Sequence, residues 1–455
     1  WVEYAHRFKK TFRTNLAVLG VSWTQLLDEK SYLKTVLAGT YNDVVDGDDT
    51  LDYNIQLHPI RNTAFNNTRI ALHTFYNRKL HSQLSLRAGI HADENFYSFS
   101  ESKYIDSLDQ TVTLIEGSGA ATTIQPYAQV KYRPTAKTTL VGGLHATYLS
   151  LNSTYSIEPR LSLTQKIGKS QLFSFGYGLH GQYLPLGSYF AQYTRADGSV
   201  YYPNKDLKMV QSHHFVLSYE IGFLRNYKAK IEPYFQYLYN LPVSANPAST
   251  YMVLNERSGY AKDSLVNKGT GMNYGVDLSL QRYYAKHWFF LVNGSVFWST
   301  YTPLDGETYS GAYDSRFTLS VMAGYEVQFK NSALEFGFRI GYMGGFRYTP
   351  IDLNASTAAR EAVTIDSLAF TQKYKDYFRP DIRVAYRQDK PKYSWTISLD
   401  LGNVVDYKNI LRQYYDKQHN TLEYSYQMGF IPVVAFQVDF FAGKGGKKTK
   451  EKKQG

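Results

Sequence analysis

Apolar and polar residues alternate one for one along most of the chain. Phe173, Phe175, Tyr177 and Leu179 are separated by Ser174, Gly176, Gly178 and His180. Leu334, Phe336, Phe338, Ile340 and Tyr342 alternate with Glu335, Gly337, Arg339 and Gly341. Trp395, Ile397, Leu399 and Leu401 stand against Thr396, Ser398, Asp400 and Gly402, and Ile382, Val384 and Tyr386 against Asp381, Arg383 and Arg387. Successive strand side chains point to opposite faces, so each segment has one apolar face and one polar or small face. A soluble sandwich alternates too, so length has to decide. About 17 segments recur, many of about 10–15 residues, against about 5–6 in soluble sheets and about 9–11 for a tilted membrane crossing. The expected fold class is all-β: an antiparallel transmembrane β-barrel.

The connections alternate between short and long. Short ones are expected at Asp28-Glu29-Lys30, Arg78-Lys79, Pro134-Thr135-Ala136-Lys137, Ile167-Gly168-Lys169, Arg225-Asn226-Tyr227-Lys228, Ala285-Lys286-His287, Lys330-Asn331-Ser332 and Lys390-Pro391-Lys392. Long polar loops are expected near 44–66, 98–121, 186–206, 241–268, 302–312, 349–377 and 406–421, with Leu151–Thr154 a short link on the long-loop side. Tight turns at one rim and long loops at the other are the arrangement of outer-membrane barrels, periplasm and exterior respectively. The last segment, ending at Phe440, finishes on the tight-turn side. About 17 strands is odd where single-chain bacterial barrels are even, and the chain opens at Trp1 without a signal peptide. The expectation is a fragment whose remaining strands lie upstream.

Composition sharpens this. Tyr contributes 42 residues, aromatics 16% and charged residues 20%; excess Tyr suits surfaces where a ring sits beside water, as at membrane interfaces. No apolar run is long enough for a transmembrane helix, whereas barrel strands meet lipid only at every second residue. With no cysteine, disulfides and thiolate metal sites are excluded. The net charge of +11 is partly a tail: residues 442–455 hold six Lys against one Glu, leaving the rest near +6. The expected domains are a barrel over 1–441 and a lysine-rich disordered tail over 442–455, a solvated segment rather than a nucleic-acid site.

Motifs of soluble chemistry fail on context. Gly176-Tyr177-Gly178-Leu179-His180-Gly181 fits a dinucleotide fingerprint, but it lies inside an alternating strand rather than between strand and helix. His213 and His214 are adjacent in a strand and project to opposite faces, while His145 and His180 are each expected singly on the inner face. No metal-ligand spacing or nucleophile elbow occurs, so no catalytic residue, metal or cofactor is assigned. Asp46-Gly47-Asp48-Asp49 is expected as an acidic turn, with weak Ca²⁺ binding as the sharper reading.

The inner face carries charges of both signs. Glu158, Arg160, His180, Lys230, Glu232, Asp277, Glu335, Arg339, Asp381, Arg383, Arg387 and Asp400 are expected to line the lumen, because Arg or Lys on the lipid face costs about 2–4 kcal/mol at mid-depth. They suit a wide wet lumen or salt-bridged ladders along the wall. Tyr189, Phe190, Tyr193, Tyr201, Tyr202, Tyr374 and Tyr377 are candidate ligand contacts on exterior loops, the alternatives being loop self-packing and interface anchoring.

Tyr342-Met343-Gly344-Gly345-Phe346-Arg347-Tyr348-Thr349-Pro350-Ile351-Asp352 resembles the late-barrel segment of Bacteroidetes-type TonB-dependent receptors. Arg379-Pro380-Asp381-Ile382-Arg383, the closing Gly429-Phe430-Ile431-Pro432 through Phe440, and Tyr155-Ser156-Ile157-Glu158-Pro159-Arg160 with Gly178-Leu179-His180 resemble that family as well. The resemblance implies a barrel of about 22 strands, of which about five would lie outside this chain together with a plug and its TonB box. It also implies energised uptake of a scarce solute, small or oligomeric, across the bacterial outer membrane. The implied partners are outer-membrane lipid and lipopolysaccharide, the TonB complex through the plug, and the barrel assembly machinery, with no nucleic acid. The family has no single substrate, so no binding residue transfers by position. A passive porin-like or fatty-acid-type channel and a surface adhesin or assembly barrel remain as alternatives.

Overall fold

The computed structural model describes residues 8–51, 56–105, 108–256 and 259–441; the lysine-rich tail at 442–455 lies outside the described residues. Seventeen long strands dominate: β1 (Phe8–Asp28), β2 (Ser31–Leu51), β3 (Leu57–His81), β4 (Leu84–Ile105), β5 (Gln110–Tyr132) and β6 (Thr138–Leu149). They continue as β7 (Thr154–Ile167), β8 (Gln171–Gln182), β9 (Val210–Phe223), β10 (Tyr227–Ser244), β11 (Leu265–Ala285) and β12 (Trp288–Thr302). The last five are β13 (Phe317–Gln328), β14 (Ser332–Met343), β15 (Tyr377–Asp389), β16 (Tyr393–Gly402) and β17 (Ile431–Phe440). Each pairs antiparallel with its chain neighbours in one up-and-down sheet, to which the two-residue strand Tyr309–Ser310 adds beside β12. Among the described residues β1 pairs only with β2 and β17 only with β16, so the sheet has two free edges. Every residue of β1 is exposed accordingly.

The tight turns are where alternation predicts them, with one exception. Gly168 has φ +65° and Lys286 and His287 have φ 51° and 75°, the left-handed backbone that lets a tight turn follow the twist of its strands. The exception is Arg78-Lys79, which lies inside β3. Arg78 pairs with Ser31 and Lys79 with Ser85, and the chain reverses at Ser82-Gln83. At a wet rim charged residues do not end a strand, because only the backbone has to pair.

The same reason corrects two of the expected loops. Most of 44–66 and of 98–121 is strand: β2 pairs β3 out to Leu51↔Leu57, and β4 pairs β5 out to Ile105↔Gln110. These strands exceed the expected length, β3 reaching 25 residues, because polar side chains satisfy one another across them. Arg61 binds Asp46 at 2.5 Å and Asp48 at 3.1 Å. Asp46-Gly47-Asp48-Asp49 is therefore paired strand, not the expected acidic turn. The other long connections are loops with short elements in them, and that between β16 and β17 holds a hairpin of Ile410–Asp416 with Thr421–Tyr426. That between β8 and β9 holds a 3-10 turn, Leu186–Phe190, and a small hairpin. That between β14 and β15 holds α1 (Leu353–Ala359), capped by the Asp352 carboxylate accepting from the Ala355 N–H at 3.0 Å.

One sheet face is a continuous apolar surface. On β14 Phe336 and Phe338 are exposed, on β15 Ile382, on β16 Ile397 and Leu399, and on β7 Ile157 and Leu161. The charged residues of the same strands occupy the opposite face. That face is concave: Tyr260, from the β10–β11 loop, reaches the ring of Phe65 on β3 at 4.7 Å, and Glu361 beyond α1 reaches Lys103 on β4 at 3.6 Å.

The hydrophobic core sits at the outer rim rather than between layers. Tyr97, Phe99 and Ile115, on the inner face of β4 and β5, pack with Tyr189, Phe190, Met209, Leu241, Val243, Met252 and Tyr301. The β8–β9 and β10–β11 loops, with the outer ends of β10 and β12, form a cap at the outer end of the concave face.

Candidate functional site

Beneath the cap, adjacent strands bring a belt of polar side chains to one height of the inner face. His73 on β3 stands opposite His91 on β4, their rings stacked at 3.7 Å. Tyr127 on β5 puts its hydroxyl 3.1 Å from His73 Nε2 and stands opposite His145 on β6. His145 in turn stands opposite Glu158 on β7, and Arg160 lies two residues further along that strand. His180 on β8 and His214 on β9 complete the row, ring centres 4.5 Å apart. Single-residue alternation plus register makes this belt: every member has the parity opposite to its apolar neighbours.

Glu158 is the belt's anchor, 1% exposed. Its carboxylate accepts from Ser156 Oγ at 2.6 Å, Thr147 Oγ1 at 3.1 Å, His145 Nδ1 at 2.9 Å and Arg160 Nη2 at 2.7 Å. A buried carboxylate is tolerable only with such a set of donors. Asp93, also buried, is held by Arg69 at 2.8 Å. A cavity of about 650 Å³ opens on these groups, its wall including Arg69, His91, Tyr127, Arg160, His180 and His214.

The remaining charges of the expected set lie on strands β10 to β16, several of them paired along or across strands. Lys230 binds Glu232 at 2.5 Å, and Asp277, opposite Glu232, accepts from Ser295 Oγ at 2.6 Å. Arg387 binds Glu335 at 2.8 Å, Arg383 binds Asp400 at 2.7 Å, and Arg339 stands opposite Asp381, which holds Arg379 at 2.8 Å. Four of these contacts pair opposite charges, while Asp277 takes a hydroxyl and Arg339 only stands across from Asp381.

The expectation that His145 and His180 act singly is corrected. Each belongs to the belt, because register brings β3 through β9 side by side, and alternation within one strand carries no register. Reading each strand alone misses His73, His91, Arg69 and Asp93 for that reason. His213, by contrast, lies on the other face, its Nδ1 3.1 Å from the Tyr177 hydroxyl.

The loop aromatics divide. Tyr189 and Phe190 are buried in the cap; Tyr189 is 0% exposed and its hydroxyl accepts from the Leu184 N–H at 3.1 Å. Burial pushes its phenol up to about 12. Tyr193 and Tyr201 face each other at 5.9 Å, with the Arg195 guanidinium 4.4 Å from the Tyr201 ring, and Tyr202 is exposed. Tyr374 stacks on Tyr348 at 4.3 Å, and Tyr377 opens β15. The structure thus offers two surface aromatic groups and keeps a third inside.

Glycines explain the densest sequence motif. A Cβ on Gly344 would fall on the Ser315 carbonyl oxygen, and one on Gly345 on that of Tyr374. The close approach brings Arg347 against Asp314, Nε to Oδ2 at 3.1 Å. Among the described residues no group of three or more His, Asp or Glu is disposed to hold a metal ion, and no helix is long and apolar enough to cross a membrane.

Residues 2–404 match the family model described as TonB dependent receptor-like, beta-barrel. No curated protein matches the chain significantly. Among solved structures, the chain is similar to the ferric preacinetobactin receptor from Acinetobacter baumannii, with TM-score 0.62 and 11% identity over 95% of this chain and 64% of that one. It is also similar to the ferric-catecholate import receptor of Escherichia coli K12, with TM-score 0.65 and 10% identity over 94% and 64%. A third is the ferric yersiniabactin uptake receptor of Yersinia pestis, with TM-score 0.65 and 10% identity over 94% and 62%. The chain therefore spans less than two thirds of the length of these structures, and at such identity the likeness is one of fold.

Proposed function

Because the chain belongs to the TonB dependent receptor-like β-barrel family and is the wall of an outer-membrane barrel, we propose that it serves a receptor that captures a scarce solute outside and passes it inward at the expense of TonB-transmitted energy. The observation that carries this reading is the cap. A passive channel needs a continuous wet path, whereas here the loop residues Tyr189, Met209 and Ala261, each at most 1% exposed, pack with strand residues at the outer end of a polar inner face. Bound solute and a moving obstruction fit that arrangement better than free diffusion. Three solved structures of similar fold are receptors for ferric preacinetobactin, ferric catecholate and ferric yersiniabactin. The solute class of this chain stays open between siderophore, vitamin, glycan and peptide, with Tyr193, Tyr201, Tyr202, Tyr374 and Tyr377 as the aromatic contacts offered to it.

The finer assignment to the Bacteroidetes-type branch rests on Tyr342–Asp352, where Gly344, Gly345 and Arg347 shape one corner of the cap. The barrel assigned to 1–441 ends on the tight-turn rim, which would place the lysine-rich tail at 442–455 in the periplasm. The exposed apolar face supports contact with lipid and lipopolysaccharide, and insertion would require the barrel assembly machinery. Two free edges cannot persist in lipid, which supports closure of β1 and β17 by further strands.

The test is uptake by cells carrying the complete receptor. Accumulation should stop when TonB is deleted or the proton gradient collapsed, and the purified receptor should show no steady conductance in a planar bilayer. Ohmic conductance with the cap in place, or uptake indifferent to TonB, would establish the passive channel instead.

A further inference from the structure

The belt beneath the cap has withdrawn its acceptors and left its donors. Glu158 and Asp93 are the belt's two carboxylates, 1% and 6% exposed, and both are already occupied. Glu158 takes four donors and Asp93 takes Arg69. The guanidiniums that hold them are on the open side, the side chains of Arg69 and Arg160 being 48% and 45% exposed. Each guanidinium carries five N–H donors in a planar fork, and a neutral imidazole keeps one. His91, His180 and His214 border the same cavity of about 650 Å³. Five of the chain's eleven histidines belong to this belt.

Such a wall offers hydrogens from two forks and several rings, and has no free carboxylate to repel negative charge. We propose that this cavity is an oxyanion subsite, taking a carboxylate- or phosphate-bearing group at Arg160, with His180 and His214 as further donors and Arg69 facing the same cavity from β3. Bidentate capture of an oxyanion by arginine is the strongest polar recognition these side chains can provide. A metal ion is the wrong occupant, since Glu158 is already filled by four donors and Asp93 is held by Arg69. The subsite rests on the receptor reading, for which it names the solute's chemistry: an anionic group presented to the inner wall. The oxyanion can come from a compact free solute or from the acidic side chains of a polypeptide segment entering the lumen. Both present the same chemistry.

Calorimetric titration of the complete receptor in detergent separates these, using tricarballylate as the compact probe and a hexaglutamate peptide as the polypeptide probe. Binding of tricarballylate alone identifies a free solute. Binding of both, in competition, identifies an acidic segment. In either case Arg160→Gln should weaken binding at least tenfold, and His180→Gln with His214→Gln should weaken it severalfold. Lys169→Gln, in the exposed β7–β8 turn, should change nothing. Each variant is first checked for heat-modifiable migration in detergent gels, so that misfolding of Arg160→Gln leaves the double histidine variant to decide. The proposal is overturned if neither probe binds, if the belt variants bind as the parent does, or if Zn²⁺ binds in their place. The receptor reading is judged separately by TonB-dependent uptake, so failure of the subsite leaves it standing.

Discussion

Replacing Lys262 by Ala should unlatch the cap, and the structure sets the size of the effect. Lys262 Nζ lies 2.7 Å from Glu101 Oε1, and the two side chains are 40% and 3% exposed. Breaking a fully buried pair from one side costs about 3–5 kcal/mol, because the remaining charge is stranded. Lys262 is partly in water, which screens the pair, so we expect about 1.5–3 kcal/mol. Local opening governs cleavage of a loop, so the 245–264 segment should be cut by subtilisin about ten- to hundredfold faster in Lys262→Ala. The strands below should stay intact. Glu101→Gln should accelerate cleavage much less, since it leaves the lysine free to return to water. The double variant, Glu101→Gln with Lys262→Ala, should then recover most of the protection. Equal cleavage of Lys262→Ala and parent, or equal effects of the two single changes, would refute the idea that a buried carboxylate latches this loop.

Three further outcomes follow from the geometry. Asn204→Ala should loosen the same cap, since buried Asn204 donates to the carbonyls of Ser188 at 3.2 Å and Asp263 at 2.8 Å and accepts from the Leu265 N–H at 2.8 Å; a loss of about 2–4 kcal/mol would appear as faster loop proteolysis. Gly345→Ala should disrupt the outer end of β14 and abolish heat-modifiable migration or the tryptic pattern of the 344–376 segment, because its Cβ has no room beside Tyr374. The Tyr189 phenol, neutral up to about pH 12 in the cap but ionising near pH 10 once exposed, stabilises the cap fully below pH 10. That contribution of about 2–3 kcal/mol is lost as pH rises from 10 to 12, so loop cleavage should accelerate there and do so less in Tyr189→Phe.

Much of this architecture was legible in the chain because membrane and water impose one rule on every strand. The parity of Phe336, Phe338 and Ile340 against Glu335 and Arg339 placed them on opposite faces without any knowledge of neighbours. Turns were legible where the backbone itself needed them, as at Gly168. Beyond the apolar band the rule lapses: with water on both faces, the Asp-rich stretch of β2 looks like loop and is strand. Register is the other blind spot. His73 and His91 are 18 positions apart in sequence yet stack, and the belt and its cavity exist only once β3 to β9 are aligned. The cap was hidden for a related reason, since Tyr189 and Tyr201 look alike in a loop and one is buried while the other is at the surface.

A barrel wall is defined by which side chains of each strand meet lipid, and β14 can be read residue by residue. The chain has no cysteine, so single cysteines at 334 through 342 can each carry a nitroxide in outer-membrane vesicles. Collision rates with oxygen, which concentrates in lipid, should peak at positions 336, 338, 340 and 342, and those with a water-soluble nickel chelate at 335, 337, 339 and 341. A reversed phase, or no alternation at all, would rule out a greasy outer face and a wet inner one.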